Sequence, residues 1–548
     1  MNRRHFLGVT SILASTVSSP ALGAGFQQLR SAQPRGRTGP ASVSKPNILL
    51  IIADQHHAGV SKRHGYPLDV TPTMDRMAAT GVDFSRAYCT IPACVPSRIS
   101  MLTGRWPEAT RVRMNFDSQD AYFAKDMYQV AREQGYRTGL AGKNHTYLRQ
   151  GDIDFWRQYG HLDGYVGPDA PPEYAAFDKW LKTTQFNLVT EPAPFPVEAQ
   201  HPHRIVSDAI DFIKESADQR FLLQVSFPEP HNPEQVPKPY WDMFPPSEVP
   251  ERDAGPEALK RMGDRERWLH GLEGAYPDLE KQWRRYVSNY LGMLRLIDDQ
   301  MKRLFDHLDE SGLAENTVVV VTADHGDYMM EYGLGRKGVG LPDCLARIPM
   351  TWFGAGIRPN RELGESAHVS MADVMPTFCE LMRAEIPSGV QGRSLAPLLH
   401  GEDYPKEEFR SVYATSGVGG LFYDAEDKVP YAISRSGTEG FDELNKVTQS
   451  GNTKMVRMGD WKLMYDMMGN GQLYHLPSDP AELNNRMDDP KAVDARNRLM
   501  AELLMWTIRS QDDLPTGPQR GKYDTKEPKA HNWFAPYRRA PIGTGYRP

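Results

Sequence analysis

Two carboxylates, each at the end of an apolar run, are the first residues in this chain that suggest chemistry. Asp54 follows Asn47-Ile48-Leu49-Leu50-Ile51-Ile52-Ala53, and Asp324 follows Thr317-Val318-Val319-Val320-Val321-Thr322-Ala323. Their neighbours, Gln55 and His325, bring a carbonyl oxygen and an imidazole. One such carboxylate is ordinarily a cap or a turn residue. Two of them, far apart in sequence, suggest strands that lie together and bind one cation at their carboxyl ends. Lys143 and His145 are two residues apart. Extended backbone would project both to one side, and a cation beside a titratable base suits anion binding and proton transfer. The same pair reads equally as a solvated loop. His231, held in Phe227-Pro228-Glu229-Pro230-His231-Asn232-Pro233, is by itself a loop histidine, and Lys337 beside Arg336 is by itself a solvated basic turn. Cys94 opens the string Cys94-Val95-Pro96-Ser97-Arg98. A thiol at a helix N-terminus meets positive partial charge, but a lone cysteine there reads first as a buried structural residue.

These residues need a scaffold, and the sequence indicates one. The runs Asn47–Ile52 and Thr317–Thr322 are continuous and apolar, the pattern of parallel strands buried on both faces. Phe221–Ser226, Tyr136–Gly142 and Arg347–Phe353 read as further strands. Helical spacing runs over Phe123–Gln134, Ile205–Glu215 and Tyr286–Leu308, with Gly135 and Gly312 as stops. Pro96 suits the first helical position and Gly104 the end of the helix after Cys94. Alternating strands and helices make an α/β fold with a mostly parallel sheet. From about Gly401 the pattern changes to short alternating strands, with Gly459-Asp460 as a hairpin turn inside Lys454–Met464 and a helix running to about Ile508. Arg149–Pro202 is long, polar and rich in aromatics, including Trp156, Tyr159, Tyr165 and Trp180. It shows few regular patterns, and its aromatics read either as sugar-stacking groups or as the packing of a lid.

At 548 residues the chain exceeds one ordinary core, so a main domain with a smaller one is expected. The net charge of −6 is mild, and no basic stripe points to nucleic acid. No apolar span suggests a membrane helix. Asn2-Arg3-Arg4-His5-Phe6-Leu7, an apolar segment and Ala21-Leu22-Gly23-Ala24 read as an export signal with paired arginines over 1–24, followed by a linker over 25–44. The destination is periplasmic or extracellular. A catalytic domain over 45–400, a C-terminal subdomain over 401–510 and a tail over 511–548 complete the division. The four cysteines, Cys89, Cys94, Cys344 and Cys379, do not make a disulfide scaffold. The sequence sets no oligomeric state.

Cys-x-Pro-Ser-Arg followed by Thr103-Gly104 resembles the signature of the type I sulfatases of the alkaline phosphatase superfamily. Asp54-Gln55, Gly142-Lys143-Asn144-His145, Pro230-His231-Asn232-Pro233, Asp324-His325-Gly326 and the turn holding Lys337 resemble that family's other stations, over roughly Lys45 to Asp489. Two positions depart from it. Gln55 stands where a second aspartate is common, and Asn144 where an aromatic is usual. The resemblance implies a large mixed, mostly parallel sheet sandwiched by helices, with a smaller C-terminal α+β domain on an antiparallel sheet. It implies that a dedicated maturation enzyme oxidises Cys94 to formylglycine, an aldehyde that hydrates to a gem-diol. Asp54, Gln55, residue 94, Asp324 and His325 would hold a metal, Ca²⁺ by family habit, with Mg²⁺ or Mn²⁺ as alternatives.

The resemblance also implies roles. Hydrated Cys94 attacks sulfur, while Arg98, Lys143 and Lys337 offset charge and Arg98 orients the diol. His231 with Lys337 protonates the departing alcohol. His145 then takes the proton of the second hydroxyl, which releases sulfate and restores the aldehyde. Export, the aromatic loop and family habit favour a sulfated polysaccharide or its oligosaccharides as substrate. Relatives with a similar Asp-Gln plus Asp-His set hydrolyse phosphonate monoesters and phosphodiesters, which is a second reading. A non-catalytic glycan-binding protein is a third. The export signal argues against the second, and the intact charged stations argue against the third.

Overall fold

The computed structural model describes residues 45–115, 118–216, 218–273, 279–338, 340–422 and 449–511. The readings of 1–24 as export signal, 25–44 as linker and, but for Gln511, 511–548 as tail lie outside the described residues. In chain order the strands are β1 (Asn47–Ala53), β2 (Val82–Asp83), β3 (Ala87–Tyr88), β4 (Arg137–Lys143), β5 (Phe155–Tyr159), β6 (Phe221–Phe227), β7 (Thr317–Ala323), β8 (Met350–Gly354), β9 (Val369–Ser370), β10 (Ser411–Gly419), β11 (Gly451–Met458), β12 (Trp461–Asp466) and β13 (Gly471–His475).

Seven of them form one sheet in the order β2-β8-β7-β1-β6-β4-β5. The five strands from β7 to β5 run parallel, and β8 and β2 add antiparallel pairs at one side. Every residue of β1, β6 and β7 is buried, which is why their sequences are apolar throughout instead of alternating. One face carries Ile48, Leu50 and Ile52 into a core shared with Met101 and Leu102 of helix Cys94–Thr103, Met127 and Val130 of helix Met127–Glu133, and Val374 and Phe378 of helix Val374–Leu381. On the other face, helix His201–Glu215 lies against β4, β5 and β6, with Phe212 filling the space above Gly139. Helix Trp283–Glu310 packs against that helix in turn. This is the expected sheet sandwiched by helices.

Strands β10 to β13 make a separate antiparallel sheet in sequence order, with Gly459 at φ 61 in the β11–β12 turn. Helix Val493–Gln511 covers it. Trp106, just past the Cys94 helix, packs into the same core as Tyr413, Val456 and Trp506, at 5.4 Å from the Trp506 ring. The small sheet is thereby anchored next to the segment that carries the cysteine.

The reading of 149–202 as irregular needs revision. It holds β5 and helix Pro172–Thr183. Trp180 and Phe195 pack around Phe177 and Leu181, and Trp156 packs on the main core. These aromatics are used for packing rather than held out as platforms. Among the described residues no helix is long and apolar enough to cross a membrane, and all four cysteines are free.

Candidate active site

Parallel register brings sequence-distant residues to one edge of the sheet. Ala53 of β1 pairs with Ala323 of β7 and Phe227 of β6, so Asp54 and Asp324 leave adjacent strands side by side. β6 leads into the His231 loop, and β4 ends on Lys143 itself. The remaining contributor comes from helix Cys94–Thr103, entirely buried, with Cys94 as its first residue. Pro96 is third in the helix rather than first. Proline is tolerated there because the first turn's N–H groups have no intrahelical carbonyl to reach. Gly104 ends the helix at φ 64, donating its N–H to the Ser100 carbonyl at 2.8 Å.

Arg98 ties four strand ends together. Its Nε donates to Asp324 Oδ2 at 2.7 Å and its Nη2 to Asp54 Oδ2 at 3.2 Å. Its Nη1 donates to Ser226 Oγ at 2.8 Å and to the Lys143 carbonyl at 3.2 Å. Lys143 Nζ donates to Asp54 Oδ2. A planar guanidinium suits this fork better than an ammonium would.

Ligand atoms of Asp54, Cys94, Asp324 and His325 all lie within 4.8 Å of one another, and all four residues are buried. His325 Nδ1 lies 2.9 Å from the Gly326 carbonyl, to which it donates. The lone pair is then on Nε2, which lies 3.2 Å from Cys94 Sγ and 3.9 Å from Asp54 Oδ1. That is the tautomer a metal-ligating histidine needs. Two carboxylates and an oriented imidazole make a donor set that fits a divalent cation.

Gln55 is placed differently. It sits at φ 69, its backbone N–H donates to Asp324 Oδ1 at 3.0 Å, and its amide nitrogen donates to Asp327 Oδ2. Its side-chain carbonyl accepts from Lys337 Nζ at 2.8 Å. Lys337 Nζ also lies 2.8 Å from His231 Nε2, while His231 Nδ1 meets the Asn232 carbonyl at 2.9 Å. A chain of contacts thus runs Asp327, Gln55, Lys337, His231. His145 is at φ 44, so the alternation of extended backbone does not apply to it. Its ring stands edge-on to that of His161 at 5.2 Å.

Burial raises the Asp54 carboxyl, but Lys143 and Arg98 hold it well below the usual carboxylate range. The Cys94 thiol is pushed up by burial and by Asp54, and the cations Lys143 and Lys337 with His325 outweigh both and lower it. Burial lowers His145 and His231 well below the ordinary imidazole range, reinforced by Lys143 and by Lys337 respectively. Both imidazoles are therefore neutral at neutral pH. Burial lowers His325 too, but Asp324 and Cys94 reverse the sign and raise it.

The structure brings Asp54, Gln55, Cys94, Arg98, Lys143, His145, His231, Asp324, His325 and Lys337 together at one sheet edge. It adds two not singled out from the sequence: Asp327, two residues past His325, and His161, two residues past β5. Asp327 had a signal in Asp324-His325-Gly326-Asp327, a second carboxylate on the same turn. His161 had none beyond its position after a strand.

The sulfatase family matches residues 46–384. An arylsulfatase of Clostridium perfringens is 26% identical over 468 residues, covering 80% of this chain and 90% of that protein. A Delta 4,5-hexuronate-2-O-sulfatase of Bacteroides thetaiotaomicron is 26% identical over 484 residues, with 86% and 90% covered. Among solved structures, a phosphonate monoester hydrolase from Silicibacter pomeroyi has a TM-score of 0.69 at 21% identity, covering 86% of this chain and 96% of that one, a likeness of fold. The matched span is more than half of the chain and contains the whole charged cluster at the sheet edge, so the chain belongs to the sulfatase family, as a sulfuric ester hydrolase of alkaline-phosphatase-like fold.

Proposed function

We propose that this sulfatase hydrolyses sulfate monoesters on a sulfated polysaccharide or its oligosaccharides, after export, with a formylglycine made from Cys94 by a maturation enzyme. One observation carries the reading. Residue 94 is first in a buried helix, 3.2 Å from His325 Nε2 and 3.8 Å from Asp54 Oδ1, and its thiol feels the charges of Lys143 and Lys337. The Bacteroides relative is named for action on a hexuronate, which supports a carbohydrate substrate. The same reading divides the chain into export signal 1–24, linker 25–44, catalytic domain 45–400, C-terminal subdomain 401–510 and tail 511–548.

Asp54, Asp324, His325 and residue 94 would hold the cation, read as Ca²⁺ with Mg²⁺ and Mn²⁺ as alternatives. Gln55 joins them only when its carbonyl leaves Lys337. A divalent cation there offsets charge on the sulfate and favours an ionised oxygen nucleophile. The hydrated aldehyde offers two hydroxyls on one carbon, which neither a thiol nor a serine does; the oxygen of one, ionised, would bond to sulfur as the bond from sulfur to the alcohol oxygen breaks. Arg98 keeps Asp54 and Asp324 fixed beside that carbon. Lys143 presents an N–H to the anion. Lys337 and His231 share a proton across 2.8 Å and give it to the departing alcohol oxygen. His145, kept neutral by burial, takes the proton of the second hydroxyl, so that the carbon–oxygen bond to sulfate breaks and the aldehyde returns.

Gln55, in place of a second aspartate, favours a second reading as a phosphonate monoester or phosphodiester hydrolase. The test is an assay of the converted enzyme on a panel of sulfated glycans beside a phosphonate monoester. Sulfate release from a glycan is expected. Hydrolysis of the phosphonate alone would favour the second reading, and release from aryl or choline sulfates alone would remove the carbohydrate from the first.

A further inference from the structure

His161 belongs to no motif, yet it touches both sides of the site. Lys143 pairs with Tyr159 in the β4–β5 register, so the chain leaving β5 runs beside the chain leaving β4. His161 Nε2 lies 2.8 Å from Lys143 Nζ. An ammonium has only protons to offer, so the imidazole accepts there and carries its own proton on Nδ1. The ring lies over that of His231, with centroids 3.8 Å apart and planes 29° from parallel. It stands steeply tilted to the rings of His145, at 5.2 Å, and Phe186, at 6.0 Å.

We propose that His161 is a positioning residue for sulfate ester hydrolysis, whose Nε2 lone pair aims the Lys143 ammonium and whose ring face fixes the plane of His231. The inference rests on the reading above, with Lys143 on the anion and His231 on the leaving oxygen. Lys143 has three N–H bonds. Asp54 takes one and His161 a second, and tetrahedral geometry then sets the direction of the third, the one left for an anion. His231 is bonded at both ring nitrogens, to the Asn232 carbonyl and to Lys337. The ring can still swing about its Cβ–Cγ bond, at the expense of both contacts. The stacked face of His161 blocks that swing.

The two parts can be separated by substitution. His161→Gln keeps an acceptor near the place of Nε2 and removes the ring. His161→Phe keeps the ring and removes the acceptor. Nδ1 is buried and has no protein partner, so neither change breaks another hydrogen bond of this side chain. The assay uses the full-length converted enzyme on 4-nitrophenyl sulfate, whose leaving group needs little protonation, and on phenyl sulfate, whose leaving group needs more. His161→Gln should keep kcat/KM on the nitrophenyl ester within about threefold and lose about tenfold or more on the phenyl ester, the scale of a disturbed supporting residue. His161→Phe should lose about tenfold or more on both, because anion contact matters to each. Parent-like rates for both variants, or equal losses on both esters in both variants, would overturn the inference. Lys143→Ala and His231→Ala are run beside them. If neither changes either rate, the underlying reading fails; if they cost activity while the His161 variants match the parent, only the role of His161 falls.

Discussion

The charge cluster at the sheet edge has a counterpart where the main body meets the C-terminal sheet. There Asp343 accepts from the Tyr88 hydroxyl and from Arg347 Nε at 2.9 Å, with Lys462 Nζ at 3.5 Å and Arg457 Nη1 at 3.9 Å. Lys462 meets Glu482 at 2.8 Å, and Glu482 accepts from the Asp343 backbone at 2.6 Å. Asp54 is buried and Asp343 half-buried, and both carboxyls lie below their ordinary range. Burial pushes Asp343 up, but Lys462, Arg347 and Arg457 outweigh it, as Lys143 and Arg98 do at Asp54. A shifted carboxylate therefore does not mark the site of chemistry here. The difference lies in which groups accompany the ions. The Asp343 cluster is made of carboxylates, cations and a phenol, and in it Arg457 of β11 and Lys462 of β12 meet Asp343 beside Tyr88 of β3, which fastens the small sheet to the body. The sheet-edge cluster contains a thiol and several imidazoles, and leaves ring nitrogens of His145 and His161 without protein partners. One cluster joins segments; the other holds groups able to exchange protons.

The largest break between the two should come from Cys94→Ser. The hydroxyl could attack sulfur once, releasing the alcohol and leaving a serine sulfate. It has no second hydroxyl for His145 to deprotonate, so the alcohol should appear to at most one equivalent per site and then stop. Mass spectrometry should find the added sulfate on the peptide carrying that serine. Sustained turnover near the parent's rate would mean that water resolves the intermediate, and the role given to His145 would go with it.

Asp54→Ala and Asp324→Ala come next. Each should lower kcat by about a thousandfold or more, the scale for losing an electrostatic element of a transition-state site. Each should also lower bound metal, measured by elemental analysis, and chelation of the parent should reproduce the loss. Unchanged metal content in either variant would remove that residue from the ligand set.

Asp343→Asn should do the reverse. Removing one charge from a buried network leaves its partners uncompensated, at a cost of about 3 kcal/mol of stability. The thermal midpoint should fall while kcat per folded molecule stays within about twofold, since the hydrogen bonds and ion pairs described for Asp343 go to Tyr88, Arg347, Arg457, Lys462 and Glu482. The pH dependence has a definite sign. The folded carboxyl lies below its ordinary 3.8, so its stabilisation is present above that pH and is lost as the pH falls through the lower native value. The parent should show this acid limb and the variant should lack it. A loss of kcat without a loss of stability would erase the distinction drawn between the clusters.

Much of this was legible because burial on both faces writes itself into a sequence. β1, β6 and β7 are apolar at nearly every position, and they carry or adjoin Asp54, His231 and Asp324. β5 and helix Pro172–Thr183 were not legible. The strand lies at the sheet edge and reads Phe-Trp-Arg-Gln-Tyr with polar residues facing out, and the helix buries only Phe177, Asp178 and Leu181. His161 was hidden for the same reason, since its place depends on the register of that edge strand. His145 was expected beside Lys143 from the alternation of extended backbone, which does not hold, because a left-handed residue does not continue the alternation of a strand. Gln55 shows the remaining gap: its type allowed a ligand, and only the packed structure shows its carbonyl on Lys337.

Gln55 also gives the smallest of these effects and the finest test of the comparison. Its amide has both ends engaged, the nitrogen on Asp327 and the oxygen on Lys337. In that respect it resembles a strut of the Asp343 cluster, set inside the other one. Gln55→Ala removes a neutral donor and leaves Asp54, Asp324 and His325 in place. Metal content should therefore stay near the parent's, in contrast to the aspartate variants. The rate should fall by about 10–100-fold, the usual cost of losing a residue that orients another. The loss should be greater on phenyl sulfate than on 4-nitrophenyl sulfate if, as proposed, Lys337 and His231 act on the leaving oxygen. Should metal content fall as far as in Asp54→Ala, with equal losses on the two esters, Gln55 is a ligand and its contact with Lys337 gives way when the cation binds.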